Sequence, residues 1–194
     1  MTQPRRFLTV AELEQTVGTA DEYVRNQAPR EAYVTGSIPR LDLRTGLLEY
    51  INAGQPAPLL VRDGTGLKQL NAARCPILGF GAGAIAPARE QLEPGDCLLF
   101  YTDGITEARE AGGRFFGLDR LIRHVERSVA VDLPAPETLR RLSHDVLAYQ
   151  QGLLQDDATT LVLVQWTSEE EHRYTPSFRA TRRPADGAAP AHRR

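Results

Sequence analysis

The run Cys97-Leu-Leu-Phe-Tyr101 limits this chain more than any other segment. Five apolar residues in succession leave no polar face, so a strand here must be buried on both sides. The tight-turn sequence Glu93-Pro-Gly-Asp96 leads into it, and Thr102-Asp103-Gly104 follows it. Whatever fold the chain adopts must therefore cover this strand twice.

The neighbouring sequence supplies the covers. Thr9-Val-Ala-Glu12 has the capping-box pattern, and Leu13, Val17, Ala20 and Val24 follow at helical spacing. A helix is predicted from about Thr9 to just before Pro29. Tyr33–Leu43 and Leu47–Asn52 read as strands around the turn Arg44-Thr-Gly46, with Pro39 marking a bulge or a sheet edge. Leu59–Arg62 and Leu67–Leu70 flank Asp63-Gly-Thr-Gly66 as a second hairpin. Asn52–Pro58, between the hairpins, is a loop stiffened by two prolines. Pro76–Pro87 is rich in Gly and Ala and reads as a flexible loop; no Lys-Ser/Thr pair follows to favour a phosphate cradle. Two amphipathic helices come next, one on Leu118, Leu121, Ile122 and Val125, the other on Leu139, Leu142, Val146 and Tyr149 after Pro134 and Pro136. Thr159–Trp166 is the last strand. Beyond it, charge, Pro, Arg and Ala without periodicity predict a disordered tail. Hairpin strands with helices grouped apart predict an α+β fold, one domain over residues 1–166 and a tail over 167–194.

Composition closes off several functions. With 194 residues, 41% of them hydrophobic, the chain can fill one core. A net charge of -2 and a pI near 6.1 exclude the basic footprint of a nucleic-acid binder and a polybasic membrane patch. No run approaches the about 20 apolar residues of a membrane span, and Met1-Thr-Gln-Pro-Arg-Arg6 leads into no apolar signal segment. Cys75 and Cys97 are too few for a disulfide scaffold and lack CxxC spacing. A reducing cytoplasm is the expected compartment.

Acidic residues beside core strands are the candidates for chemistry. Asp103 leaves the buried strand next to a glycine, where the strand can hold a carboxylate at a rimmed site; the plainer reading is an Asp-Gly turn. Asp156 and Asp157 stand just before the last strand. Adjacent carboxylates repel each other, and a hard divalent ion such as Mg²⁺ or Mn²⁺ relieves that repulsion; the alternative is a solvated acidic turn. His124 and His144 lie on predicted helices, His172 and His192 in the tail. None has zinc-site spacing, so all four read as surface or packing residues. There is no Gly-x-Ser-x-Gly elbow, and neither cysteine has a nearby His or helix start to lower its pKa, so covalent catalysis lacks support.

Three segments in order carry a family resemblance. They are Tyr33-Val-Thr35 with Leu47-Leu-Glu-Tyr-Ile-Asn-Ala-Gly54, then Leu92-Glu-Pro-Gly-Asp-Cys-Leu-Leu-Phe-Tyr-Thr-Asp-Gly-Ile-Thr-Glu-Ala-Arg109 with Phe116-Gly-Leu118, and last Asp156-Asp-Ala-Thr159 ahead of Leu161-Val-Leu163. From Tyr33 to Trp166 the chain resembles the bacterial SpoIIE-type branch of the metal-dependent (PPM) protein phosphatases. The resemblance implies an αββα sandwich, two antiparallel sheets face to face with helices outside. It implies aspartates between the sheets that hold two Mn²⁺ or Mg²⁺ ions, and a metal-activated water that hydrolyses phosphoserine or phosphothreonine without a phosphoenzyme. The substrate implied is a phosphorylated anti-sigma-factor antagonist protein, whose dephosphorylation switches a sigma factor on; a dimer is left open.

On this match Asp103 and Asp156 carry over as metal ligands, with Asp157 as a third candidate. Gln55 stands where the family usually has His. The family's N-terminal motifs, Gly-Asp-x-x-Asp and Asp-Val-x-Gly-His-Gly, should precede the first helix and are not in this sequence, so the chain is expected to carry the C-terminal two-thirds of a domain. Two divalent ions bring four positive charges against two or three carboxylates, and a two-metal site holds its ions only about 4 Å apart. One ion is then held weakly, and the chain alone is expected to be inactive. The alternative is a pseudophosphatase that binds a regulatory partner through the remaining fold.

Overall fold

The computed structural model describes residues 9–27, 29, 32–62, 64, 66–81, 83, 85–151 and 159–167. In chain order its elements are α1 (Val10–Gln27), β1 (Gly36–Leu41), β2 (Leu47–Ala53), β3 (Leu59–Arg62), β4 (Gly66–Gln69), β5 (Arg74–Cys75), β6 (Ala88–Gln91), β7 (Cys97–Tyr101), α2 (Asp103–Thr106), α3 (Leu118–Ala130), α4 (Ala135–Tyr149) and β8 (Leu161–Gln165). The capping box forms at the start of α1. The Glu12 N–H donates to Thr9 Oγ1 at 3.2 Å, and the Thr9 N–H donates back to the Glu12 carboxylate. The predicted stripe then buries Leu13 and Val17 against Ile51, Ala53 and Leu78.

One sheet is built on β2. β1 pairs with it antiparallel, Leu41 facing Leu48, across a turn closed by Gly46. Gly46 has φ +72°, and a Cβ there would meet the Leu92 carbonyl oxygen at 2.9 Å, so a side chain is excluded on both counts. β1 is shorter than the predicted Tyr33–Leu43, because Val34 makes only an isolated bridge to Leu78. Pro39 lies on the outer strand of this sheet, where a missing amide donor breaks no ladder bond. The far side of β2 is shared. β6 pairs antiparallel with Leu47–Tyr50 and β5 pairs parallel with Asn52 and Ala53, a parallel pairing that departs from the all-antiparallel expectation.

The second sheet runs β4-β3-β7-β8, antiparallel throughout. Its alternation explains the unbroken apolar run. Cys97, Leu99 and Tyr101 pack with Leu59 and Val61 beneath Leu121 and Val125 of α3 and Leu142 and Val146 of α4. Leu98 turns the other way with Leu60, onto Leu48, Tyr50 and Trp166 between the sheets. The result is α1, sheet, sheet, then α3 with α4: the α+β, αββα arrangement. α4 begins at Ala135, ahead of the predicted start, because Pro136 falls in the first turn, where an absent N–H costs no helical bond.

Two polar contacts fix the loops. Asp96, 1% exposed, receives the Arg62 guanidinium at both carboxylate oxygens (2.9 and 2.8 Å) and the Glu93 N–H at 2.8 Å, so the turn before β7 is locked to β3. The Pro76–Pro87 segment, expected to be flexible, is tethered: Asp21 Oδ1 of α1 accepts the N–H of Gly79 at 2.8 Å and of Gly81 at 3.2 Å. A buried acid supplies the restraint that the glycine-rich composition conceals. Among the described residues no helix is long and apolar enough to cross a membrane.

Candidate functional site

β7 delivers Asp103 to one end of the sandwich. Thr102 precedes α2 and makes no side-chain capping bond to it, though its carbonyl accepts the Ile105 N–H at 3.1 Å; its hydroxyl accepts the Thr160 N–H at 3.0 Å, and its own N–H donates to the Thr160 carbonyl at 3.2 Å. The start of β8 is thereby fastened beside Asp103. The Asp103 backbone carbonyl accepts the Glu107 N–H at 2.8 Å and the Thr106 hydroxyl at 3.2 Å, which closes the single turn of α2. Its carboxylate is exposed. Oδ1 accepts the Gly104 N–H at 3.0 Å, and no cation among the described residues pairs with it.

An open cleft of about 330 Å³ adjoins this point, between β1 of one sheet and β7 and β8 of the other. Ser37, Gln55, Phe100, Thr102, Thr160 and Val162 line it. Gln55 is set by its own loop: its N–H donates to Asn52 Oδ1 at 2.9 Å, and Asn52 Nδ2 donates back to the Gln55 carbonyl at 2.9 Å. Its side-chain amide donates to Thr35 Oγ1 at 2.8 Å. Gly54 makes that turn possible. Its φ is +75°, and a Cβ would fall 2.2 Å from Ile77 Cγ2.

Of the residues singled out for metal binding, Asp103 is placed as described, whereas Asp156 and Asp157 lie outside the described residues. Among those described, no group of three or more His, Cys, Asp or Glu converges as a metal site would require. The donor that is present fits a hard divalent ion: an exposed carboxylate oxygen with no competing cation among the described residues, on a backbone fixed by a core strand. Thr102 is the site residue that sequence reasoning passed over. Its one available signal was a hydroxyl immediately ahead of Asp103. Neither cysteine carries an activated thiol: burial and the Asp96 charge push the Cys97 thiol up to about 11, and burial raises Cys75 as well. His144 is exposed and His124 packs between helices, as their spacing implied.

The profile of the Stage II sporulation protein E (SpoIIE) family matches residues 5–166. The chain belongs to the SpoIIE family. It thus has the PP2C-like fold of a family of protein phosphatases. Protein IcfG of Synechocystis sp. is 28% identical over 125 residues, 64% of this chain and 19% of that protein. The SiaA PP2C domain of Pseudomonas aeruginosa has the same fold, with a TM-score of 0.67 at 21% identity over 78% of this chain and 60% of that one. The phosphatase domain of the cell fate determinant SpoIIE from Bacillus subtilis, in a form presoaked with Mn, gives a TM-score of 0.58 at 19% identity, covering 87% of this chain and 76% of that one. The RsbU and RsbW domains of a Mycobacterium tuberculosis protein give 0.59 at 26% identity, covering 83% of this chain and 42% of that one. This chain therefore spans 60% of the SiaA domain and about a fifth of IcfG.

Proposed function

We propose that the domain to which this chain contributes hydrolyses phosphoserine or phosphothreonine on a small regulatory protein, an anti-sigma-factor antagonist, in a cytoplasmic partner-switching pathway. One observation carries the reading. The Asp103 carboxylate stands exposed and without a cationic partner among the described residues, at a strand end tied through Thr102 and Thr160 to the segment that bears Asp156 and Asp157. Asp156 precedes Thr160 by four residues, a chain length that spans at most about 14 Å when fully extended. Asp103 and Asp156, with Asp157, would hold Mn²⁺ or Mg²⁺. The bound ion supplies a water of lowered pKa and a Lewis acid for phosphoryl oxygens. The chain's own part is to fix the first carboxylate on a rigid strand end. The Asn52–Gln55 turn shapes the cleft wall beside it.

Calorimetric titration with Mn²⁺ tests the assignment. Binding should weaken about tenfold or more in both Asp103→Asn and Asp156→Asn, since even partners one shell further out cost 10–100-fold in affinity. Binding that neither substitution weakens, or none at all in the wild-type chain, refutes the shared site. Phosphate release from a phosphoserine protein should be low for this chain, given two or three carboxylates against two ions, and should vanish in Asp103→Asn. A second reading is favoured by Gln55 at the usual His position: a pseudophosphatase that binds its partner without turnover. Phosphate release that is measurable in the wild-type chain and lost in Asp103→Asn would exclude it.

A further inference from the structure

Between α3 and α4 a separate open cavity of about 440 Å³ shares no residue with the cleft beside Asp103. Its charged lining is mostly basic: His124 and Arg127 from α3, Arg140, Arg141 and His144 from α4, against the carboxylate of Asp145. Ion pairs hold part of this set in place. Glu137 accepts from Nε of Arg140 at 2.6 Å and of Arg141 at 2.7 Å. Asp145 lies 3.1 Å from His124 Nδ1 and 3.8 Å from His144 Nδ1. Arg127 differs. Its Nε donates to the Arg123 carbonyl at 3.1 Å, and none of the described residues offers it a carboxylate. Beside it the His124 side chain is only 14% exposed, and its Nε2 is buried with no hydrogen-bond partner among the described residues.

We propose that this cavity binds a phosphoryl group, with Arg127 as the principal anchor and Arg140 and Arg141 beside it. Planar guanidinium forks match phosphoryl oxygens in pairs, and such charge-assisted bonds are shorter and stronger than neutral ones. A carboxylate offers one pair of oxygens. A phosphoryl group offers three, enough to engage Arg127 and a guanidinium of α4 together. The cavity is larger than a phosphate ion, so it has room for a phosphorylated side chain with its neighbours.

Inorganic phosphate titrated at constant ionic strength, with the imidazole Cε1–H resonances followed by NMR, tests the site. The Asp103→Asn chain in EDTA is used so that binding beside Asp103 does not contribute, and the result is independent of the phosphatase reading. A saturable shift of the His124 and His144 resonances is expected, with affinity about tenfold lower or worse in Arg127→Gln. Arg127 is exposed, so the variant should fold; an unchanged amide spectrum confirms it. A phosphoserine peptide then distinguishes the source of the phosphoryl group: tighter binding than inorganic phosphate points to a phosphorylated protein, equal binding to free phosphate. No saturable shift, or full affinity in Arg127→Gln, overturns the proposal.

Discussion

Cys97 converts two-sided burial into a pH effect. The residue is 4% exposed, and its thiol is pushed from about 9 to about 11, first by burial and then by Asp96. An acid with a raised native pKa keeps its proton in the fold while the unfolded chain loses it. The Cys97 contribution to stability should therefore be constant below pH 8 and fall between about 9 and 11, by roughly 1–2 kcal/mol at pH 10. Urea unfolding at pH 8 and pH 10 measures this, and the loss should be smaller in Cys97→Ala; an identical loss in the variant would assign the effect to other groups. The two ends of the same strand show what was legible at this scale. Asp96 and Asp103 both flank an apolar run, and the sequence places each at a turn. What separates them is Arg62, 34 residues from Asp96, which neutralises one acid and leaves the other exposed. Pairing at that distance has no periodic signal.

Among the elements, α1 gives the clearest case of a side chain overriding composition. Glycines 79 and 81 both have positive φ, which alone would predict a loose loop. Asp21, buried on α1, holds both amides. Asp21→Ala removes one acceptor from two donors. It should cost about 2 kcal/mol and strip hydrogen-exchange protection from Gly79 and Gly81 while the β2 and β3 amides keep theirs. Unchanged protection at both glycines would show that the loop is held by other contacts. The elements foreseen from apolar periodicity or unbroken apolar runs, α1, α3, α4, β2, β3, β7 and β8, are those whose apolar residues repeat on one face or fill both, and turn signals added β1 and β4. β5 and β6 escaped notice for a physical reason. β5 is two residues long, and β6, Ala-Arg-Glu-Gln, pairs along β2 while Arg89 reaches the buried Glu49 carboxylate at 3.0 Å. A charged tetrapeptide becomes a strand only because a buried partner waits across the ladder.

For the whole molecule, β7 is the shared wall of two cores. Leu99 faces the helices and Leu98 faces the other sheet, and each is almost wholly buried. If the layers fold as one unit, a cavity on either face of β7 weakens both equally. Leu98→Ala and Leu99→Ala should each cost about 2–5 kcal/mol. Trp166, the chain's single tryptophan, lies in the inter-sheet core, so its fluorescence follows that layer, while far-ultraviolet circular dichroism follows chiefly α1, α3 and α4. In urea the two signals should change together in the wild type and in both variants, because a strand hydrogen-bonded to β3 and β8 cannot release one face and keep the other. A Leu99→Ala chain that lost its helical signal at lower urea than its tryptophan signal would mean that α3 and α4 dock onto a sandwich stable without them. Asp103, at the end of β7, would then owe its position to the two sheets alone.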